Sequence, residues 1–211
     1  MKSNSPVSFQ KEQSPLGVIL AGGPGNRLGG DKPFRTVWGK RLIDLALETL
    51  SQVCSKQVVV TSQVGAMADL PCDIIADRWP GQGPLAALAT AFLDMNCDSL
   101  LVIPVDTPLV SVDLLRLVAQ PQEGDRAVAL AGPRGLEPLL AWYHSSCLPP
   151  ALRLIEANDR RPRKLLEVVK ARIIPLDQVH AIDPEGLSFL NVNFPRDLER
   201  ARKIAAQKWA D

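Results

Sequence analysis

Two histidines, four scattered cysteines and no apolar run long enough to cross a bilayer set the first limits on this 211-residue sequence. His144 and His180 lie far apart, and Cys54, Cys72, Cys97 and Cys147 contain no C-x-x-C, so zinc spacing is absent. Reduced, mostly buried cysteines are the expectation rather than a disulfide framework. A surplus of either charge is missing too: Lys and Arg number 24 against 23 Asp and Glu, a formal net charge of +1. No global field then favours DNA, RNA or an anionic membrane as partner, and any anion site has to be local. The first residues carry Lys2, Lys11 and Glu12 among Ser, Gln and Asn without an apolar signal core, which makes the cytoplasm the expected location.

What is present fits one domain. Hydrophobic content of 46% and charged content of 22% are ordinary for a globular chain, and the length suits a single substantial core. Residues 1–14 read as a disordered polar tail and 15–211 as one domain, with no internal repeat. Leu16 to Leu20 is a short apolar strand. Phe34 to Val37 reads as a short extended piece closed by a Gly39-Lys40 turn. Leu42, Ala46, Leu50 and Val53 then recur at helical spacing, and Val58-Val59-Val60 is a β-branched strand. Asp73 to Ala76 predicts another strand, Pro84 to Met95 a helix with proline in its first turn, and Leu100 to Val105 a buried parallel strand. Val112 to Ala119 predicts a helix, Ala127 to Ala131 and Leu139 to Tyr143 strands, and Pro195 to Trp209 a closing helix packed through Leu198, Ala201 and Ile204.

Such alternation predicts an α/β fold: a three-layer sandwich with a Rossmann-like, mostly parallel sheet flanked by helices. In sheets of this kind ligands gather at the carboxyl ends of the strands. Gly22 to Lys32, Thr61, Asp77 and Asp106 all fall there.

The most informative stretch runs from Leu20 to Lys32, where β-type residues give way to five glycines, Arg27 and Lys32. Glycines permit close backbone approach and N–H groups aimed at phosphate oxygens, to which Arg27 and Lys32 add fixed charge. The dinucleotide fingerprint does not fit, because Leu28 stands where its third glycine belongs, and the P-loop pattern fails at Asp31 and Pro33.

Leu20-Ala21-Gly22-Gly23-Pro24-Gly25-Asn26-Arg27-Leu28-Gly29-Gly30-Asp31-Lys32 resembles the L-A-G-G-x-S-x-R-M-G-x-D-K signature of nucleotidyltransferases that build activated cofactors and nucleotide sugars. The closest likeness is to the molybdenum cofactor guanylyltransferases. Gly25 replaces the usual serine and Leu28 the methionine. Three further segments fall in family order: Asp77 followed by Gly81-Gln82-Gly83-Pro84-Leu85-Ala86, then Asp106-Thr107-Pro108, then Asn191-Val192-Asn193 before Phe194-Pro195.

The resemblance implies transfer of GMP from GTP to the phosphate of molybdopterin or molybdenum cofactor, with release of pyrophosphate. It implies Arg27, Lys32 and Asp106 as catalytic residues, and Leu20, Ala21, Gly22, Gly23, Lys32, Asp77, Asp106, Asn191 and Asn193 as the binding set, with Mg²⁺ on Asp106. A lone carboxylate suffices for Mg²⁺ when the substrate supplies other oxygens; Asp-Thr-Pro is also ordinary turn chemistry. An alternating strand would turn Asn191 and Asn193 to one face. Thr61 stands where the family has an asparagine that contacts the nucleotide, which leaves the base open. Cytidylyl transfer, a sugar-phosphate acceptor, or a non-catalytic nucleotide-binding chaperone remain the alternatives. GTP and molybdopterin are the implied partners, with neither nucleic acid nor membrane, and with room for transient contact with proteins that supply or receive the cofactor.

One motif stands apart. Between Arg153 and Arg172 seven cations face three anions, and the excess is focused in Arg160-Arg161-Pro162-Arg163-Lys164. A solvated face and a wall that captures the acceptor's phosphate are equally compatible with that run.

Overall fold

The computed structural model describes residues 14–22 and 32–208. Its elements run β1 (Leu16–Leu20), β2 (Thr36–Val37), β3 (Lys40–Arg41), α1 (Leu42–Ser51), β4 (Gln57–Thr61), β5 (Asp73–Ala76), α2 (Pro84–Met95), β6 (Ser99–Pro104) and α3 (Val112–Val118). They continue with β7 (Ala127–Gly132), β8 (Gly135–His144), α4 (Leu148–Glu156), α5 (Pro162–Val169), β9 (Arg172–Ile174), α6 (Leu176–Ile182) and α7 (Pro195–Lys208). β2 and β3 form a small separate hairpin. The other seven strands make one sheet in the order β5-β4-β1-β6-β8-β7-β9.

Period-2 side-chain alternation divides the core between the two faces of that sheet. Ile19, Val59, Leu101 and Ile103 point to one face, where α1, α3, α6 and α7 cover them through residues such as Leu50, Leu114, Val179 and Leu198. Val18, Leu20, Val58, Val60 and Val102 point to the other, under Leu85 and Phe92 of α2, Ala151 of α4 and Leu165 of α5. The three layers expected from the alternating pattern are therefore present. Strands buried on both faces have no polar side, which is why β4 and β6 read as almost continuous apolar runs. Leu101 is 0% exposed, and truncating such a leucine to alanine costs about 2–5 kcal/mol.

β8 alone runs against the other six strands, pairing antiparallel with both β6 and β7. Its direction matters for the site: the amino end of β8, residues 135–139, comes to lie at the carboxyl ends of its neighbours. The sequence indicated a strand only over Leu139–Tyr143, because Glu137 and Pro138 interrupt the apolar run. α4, α5, β9 and α6 were not indicated at all. Pro149 and Pro150 obscure the start of α4, α5 opens in a cationic run, and β9 is only three residues long. Among the described residues no helix is long and apolar enough to cross a membrane.

Candidate active site

The carboxyl ends of β5, β4, β1 and β6 carry the polar residues singled out by the sequence. Asp77 follows β5 and donates its backbone N–H to Thr61 O at 2.9 Å. Its Oδ1 accepts the Trp79 N–H at 3.0 Å, an Asx-type turn, and lies 3.4 Å from the hydroxyl of Thr90 on α2. Its other oxygen faces β1: a β-carbon added at Gly22 would stand 4.0 Å from Asp77 Oδ2. Leu20 and Ala21 are buried, with the Ala21 N–H bonded to Val60 O at 3.0 Å, so these two residues present main chain rather than side chain. Gly23 and Arg27 lie outside the described residues.

A second cluster forms beyond β6. Lys32 Nζ donates to Asp106 Oδ2 at 2.6 Å and to Asn193 Oδ1 at 2.7 Å. Both members of the ion pair have side chains 18% exposed, so the pair is shielded without being sealed from water. Each participant is set by its backbone. Thr107 Oγ1 donates to Pro104 O at 3.1 Å in the turn that carries Asp106, and the Val192 N–H donates to Asp106 O at 2.8 Å. Asp197, in the first turn of α7, accepts the N–H groups of Asn193 and Phe194 at 3.1 and 2.9 Å. A carboxylate near a helix N-terminus satisfies otherwise orphaned donors, and here it fixes the approach of Asn193.

Residues 191–193 are not a strand. Val192 is buried and Asn191 and Asn193 are half-buried, as alternation requires, but the segment joins no sheet and is anchored through Asp106. The extended shape was legible; the absence of a strand partner was not.

No cluster of three or more His, Cys, Asp or Glu side chains exists among the described residues. The donor set beside Lys32 is instead one carboxylate with the amide oxygen of Asn193. Hard oxygens in that number fit a Mg²⁺ ion that takes its remaining ligands from water and substrate phosphates.

A cavity of about 470 Å³ opens next to this cluster, within the range of small-molecule sites. Its wall includes Asp106, Asn191, Glu137, Arg160, Arg161 and Arg163. The cationic run is thus divided. Arg161 is paired with Asp159 through bonds of 2.9 and 2.6 Å, and that guanidinium holds the Asp159 carboxyl down at about 2. Arg163 donates to Leu136 O at 3.1 Å and Arg134 O at 3.3 Å, while Lys164 is turned to Glu167 at 2.8 Å. Arg160 makes no hydrogen bond or ion pair among the described residues, and its backbone packs beside Gly83, where a β-carbon would lie 3.8 Å from Arg160 O. Gly83 precedes α2 at φ +87°, a conformation open to glycine and strained for other residues.

Thr61 is 1% exposed and its hydroxyl accepts the Gln63 N–H at 3.0 Å. Sequence reasoning missed Glu137 and Asp197. A carboxylate interrupting the apolar run Leu136–Tyr143 was the available signal for Glu137; for Asp197 the signal was an acid three residues past Phe194 at a helix start.

Residues 17–176 match the model of the MobA-like NTP transferase domain. The chain is 35% identical to a Chloroflexus aggregans protein named "Probable molybdenum cofactor guanylyltransferase", over 87% of this chain and 91% of that one. It is 33% identical to the molybdenum cofactor guanylyltransferase of Cereibacter sphaeroides, over 90% and 96% of the respective chains. The crystal structure of molybdopterin-guanine dinucleotide biosynthesis protein A from Archaeoglobus fulgidus superimposes with a TM-score of 0.78 at 28% identity, covering 91% of this chain and 99% of the other.

Proposed function

Because the chain belongs to the MobA-like NTP transferase domain family, we propose that it transfers GMP from GTP to the terminal phosphate of molybdopterin or molybdenum cofactor. A phosphate oxygen of the acceptor attacks the α-phosphorus, the bond from that phosphorus to the oxygen bridging to the β-phosphate breaks, and pyrophosphate leaves. The observation that carries this reading is the meeting of Lys32, Asp106 and Asn193 beside a cavity walled by arginines.

No protein nucleophile is needed, so catalysis is positioning and charge neutralisation. Leu20, Ala21 and Gly22 shape the nucleotide pocket through main chain, with Gly23 as a further member of the binding set and Asp77 beside Gly22 contacting the nucleoside. Lys32 and Arg27 offset charge on the departing pyrophosphate. Asp106, with help from the neighbouring amides, is the residue that would hold Mg²⁺, which when bound neutralises triphosphate oxygens. Asn191 and Asn193 orient the acceptor, and Arg160, which makes no bond of its own among the described residues, receives the acceptor's phosphate. Use of GTP as donor supports the cytoplasmic location expected from the sequence.

The test is pyrophosphate release from each of the four nucleoside triphosphates with molybdopterin and Mg²⁺. Release with GTP is expected. Release with CTP alone would make the enzyme a cytidylyltransferase, and nucleotide-dependent thermal protection without release would make it a binding protein.

A further inference from the structure

Glu137 is a carboxylate that its own fold sets in a cavity wall, with Arg163 and Arg134 near enough to act on it and neither bonded to it. It lines the cavity, half-buried, and among the described residues it makes no hydrogen bond or ion pair. Burial pushes its carboxyl above the ordinary value, against the pull of Arg163 and Arg134. Holding the charged form there costs some stability, which a ligand that donates hydrogen bonds to it would recover.

The surrounding structure is nevertheless built to hold it there. Between Ala129↔Ala141 and Leu130↔Glu137, β7 advances one residue while β8 advances four, an irregularity that re-aims the side chains of residues 137–140. Tyr143, fully buried, fastens this bend by donating its hydroxyl to Pro138 O at 2.7 Å. On the partner strand, a β-carbon at Gly132 would fall 2.6 Å from Glu137 Oε1 and 2.7 Å from its Cγ. Only glycine at 132 leaves the carboxylate its place.

A carboxylate held this way accepts two N–H bonds side by side and donates none. The acceptor proposed above has a matching edge, since the 2-amino-4-oxopyrimidine end of a pterin sets a ring N–H beside an exocyclic amine. Guanine has the same edge. Topology favours the pterin: Gly22 and Asp77 lie at the ends of β1 and β5, whereas Glu137 lies on β8, across β6 and Asp106 from them and in the same cavity as Asn191 and Arg160. Resting on the reading of the protein as a guanylyltransferase, we propose that Glu137 is a specificity-determining residue that binds the amino-oxo edge of the acceptor's pterin ring.

Two variants test it: Glu137→Gln, which removes the charge, and Gly132→Ala, which keeps the charge and displaces the side chain. With GTP saturating, the molybdopterin KM is expected to rise roughly 10- to 100-fold in Glu137→Gln, as loss of a charged hydrogen bond predicts, and by a smaller factor in Gly132→Ala. The KM for GTP should stay within about twofold in both. A second arm titrates the wild type with pterin and with lumazine, in which oxygen replaces the exocyclic amine, following ring fluorescence. The wild type should prefer pterin, and Glu137→Gln should lose the preference. An unchanged molybdopterin KM in both variants, or equal affinity of the wild type for the two rings, overturns the proposal. A rise confined to the KM for GTP assigns the carboxylate to guanine and overturns it too. If the wild type releases no pyrophosphate, it is the enzymatic reading that fails, and the ring titration still decides the role of Glu137.

Discussion

Lys32 Nζ lies 2.6 Å from Asp106 Oδ2 although 74 residues separate them in the chain. The ammonium also bonds Asn193 Oδ1 at 2.7 Å, so one cation sits between two oxygens that the proposed reaction assigns to Mg²⁺ and the acceptor. Lys32 thus keeps the carboxylate neutralised in the protein without ligands, and triphosphate oxygens are the partner that would draw it away.

That relationship fixes the first prediction. Asp106→Ala and Lys32→Ala should each lower kcat by about 10²- to 10³-fold or more, the usual scale for removing a charge aimed at a transition state. The double variant should be little worse than the worse single one, because both act on the same local charge balance. Pyrophosphate release at saturating GTP, molybdopterin and Mg²⁺ measures it. Without nucleotide, Lys32→Ala should bind Mn²⁺ more tightly than the wild type, since Asp106 then lacks its resident cation; electron paramagnetic resonance titration reads this.

The second concerns pH and has two opposite signs. In the free protein the Glu137 carboxyl is raised by burial, opposed by Arg163 on α5 and Arg134 in the β7–β8 turn; Asp106, Arg160 and Arg161 line the same cavity. N–H donors of the acceptor stabilise the carboxylate, so the bound value falls below the free one. Acceptor affinity is then full above the free value and lost as pH falls through it. Folding runs the other way. Because the folded value exceeds the unfolded one, Glu137 contributes stability below the ordinary glutamate pKa of 4.5 that is lost as pH rises through its raised folded value. Glu137→Gln should therefore gain thermal stability relative to wild type near neutral pH while binding the acceptor worse. Paired thermal melts and acceptor titrations across the acid range check both signs.

The third concerns the cysteines, all four of which are free thiols. Burial pushes Cys54 up to about 12 and Cys147 up to about 11, leaving almost no thiolate near neutral pH, and thiolate is the reactive form. Cys72 and Cys97 are half-buried and also raised, chiefly by burial. Labelling with an aromatic disulfide at mildly alkaline pH should modify Cys72 and Cys97 slowly, and Cys54 and Cys147 only on the timescale of unfolding. Rapid labelling of Cys54 in the folded protein would contradict its place against β1.

Where local pattern carried the information, the reading of the chain was close. Asp73–Ala76 and Pro84–Met95 have the boundaries expected from them, because a β-branched run and a proline-started apolar stripe each encode their own geometry. α5 shows the opposite: its buried Leu165, Leu166 and Val169 are too few, after a run of arginines, to announce a helix before the sheet is there to cover them. The same holds within the site. Asp77 and Asp106 could be placed at strand ends from their neighbours alone. Glu137 could not, because its importance depends on β8 reversing direction and on the empty position at Gly132.

The amino-acid sequence by itself determined the alternation of strands and helices and the polar residues that end β5 and β6, since side-chain periodicity and turn chemistry act over a few residues. Only the tertiary structure decided that Lys32, Asp106 and Asn193 share one point and that the Arg160 segment faces the same cavity as Glu137. Those meetings depend on strand order and on one antiparallel strand with a bend in its register, which are set by the packing of the whole chain and leave no mark on any short stretch of it.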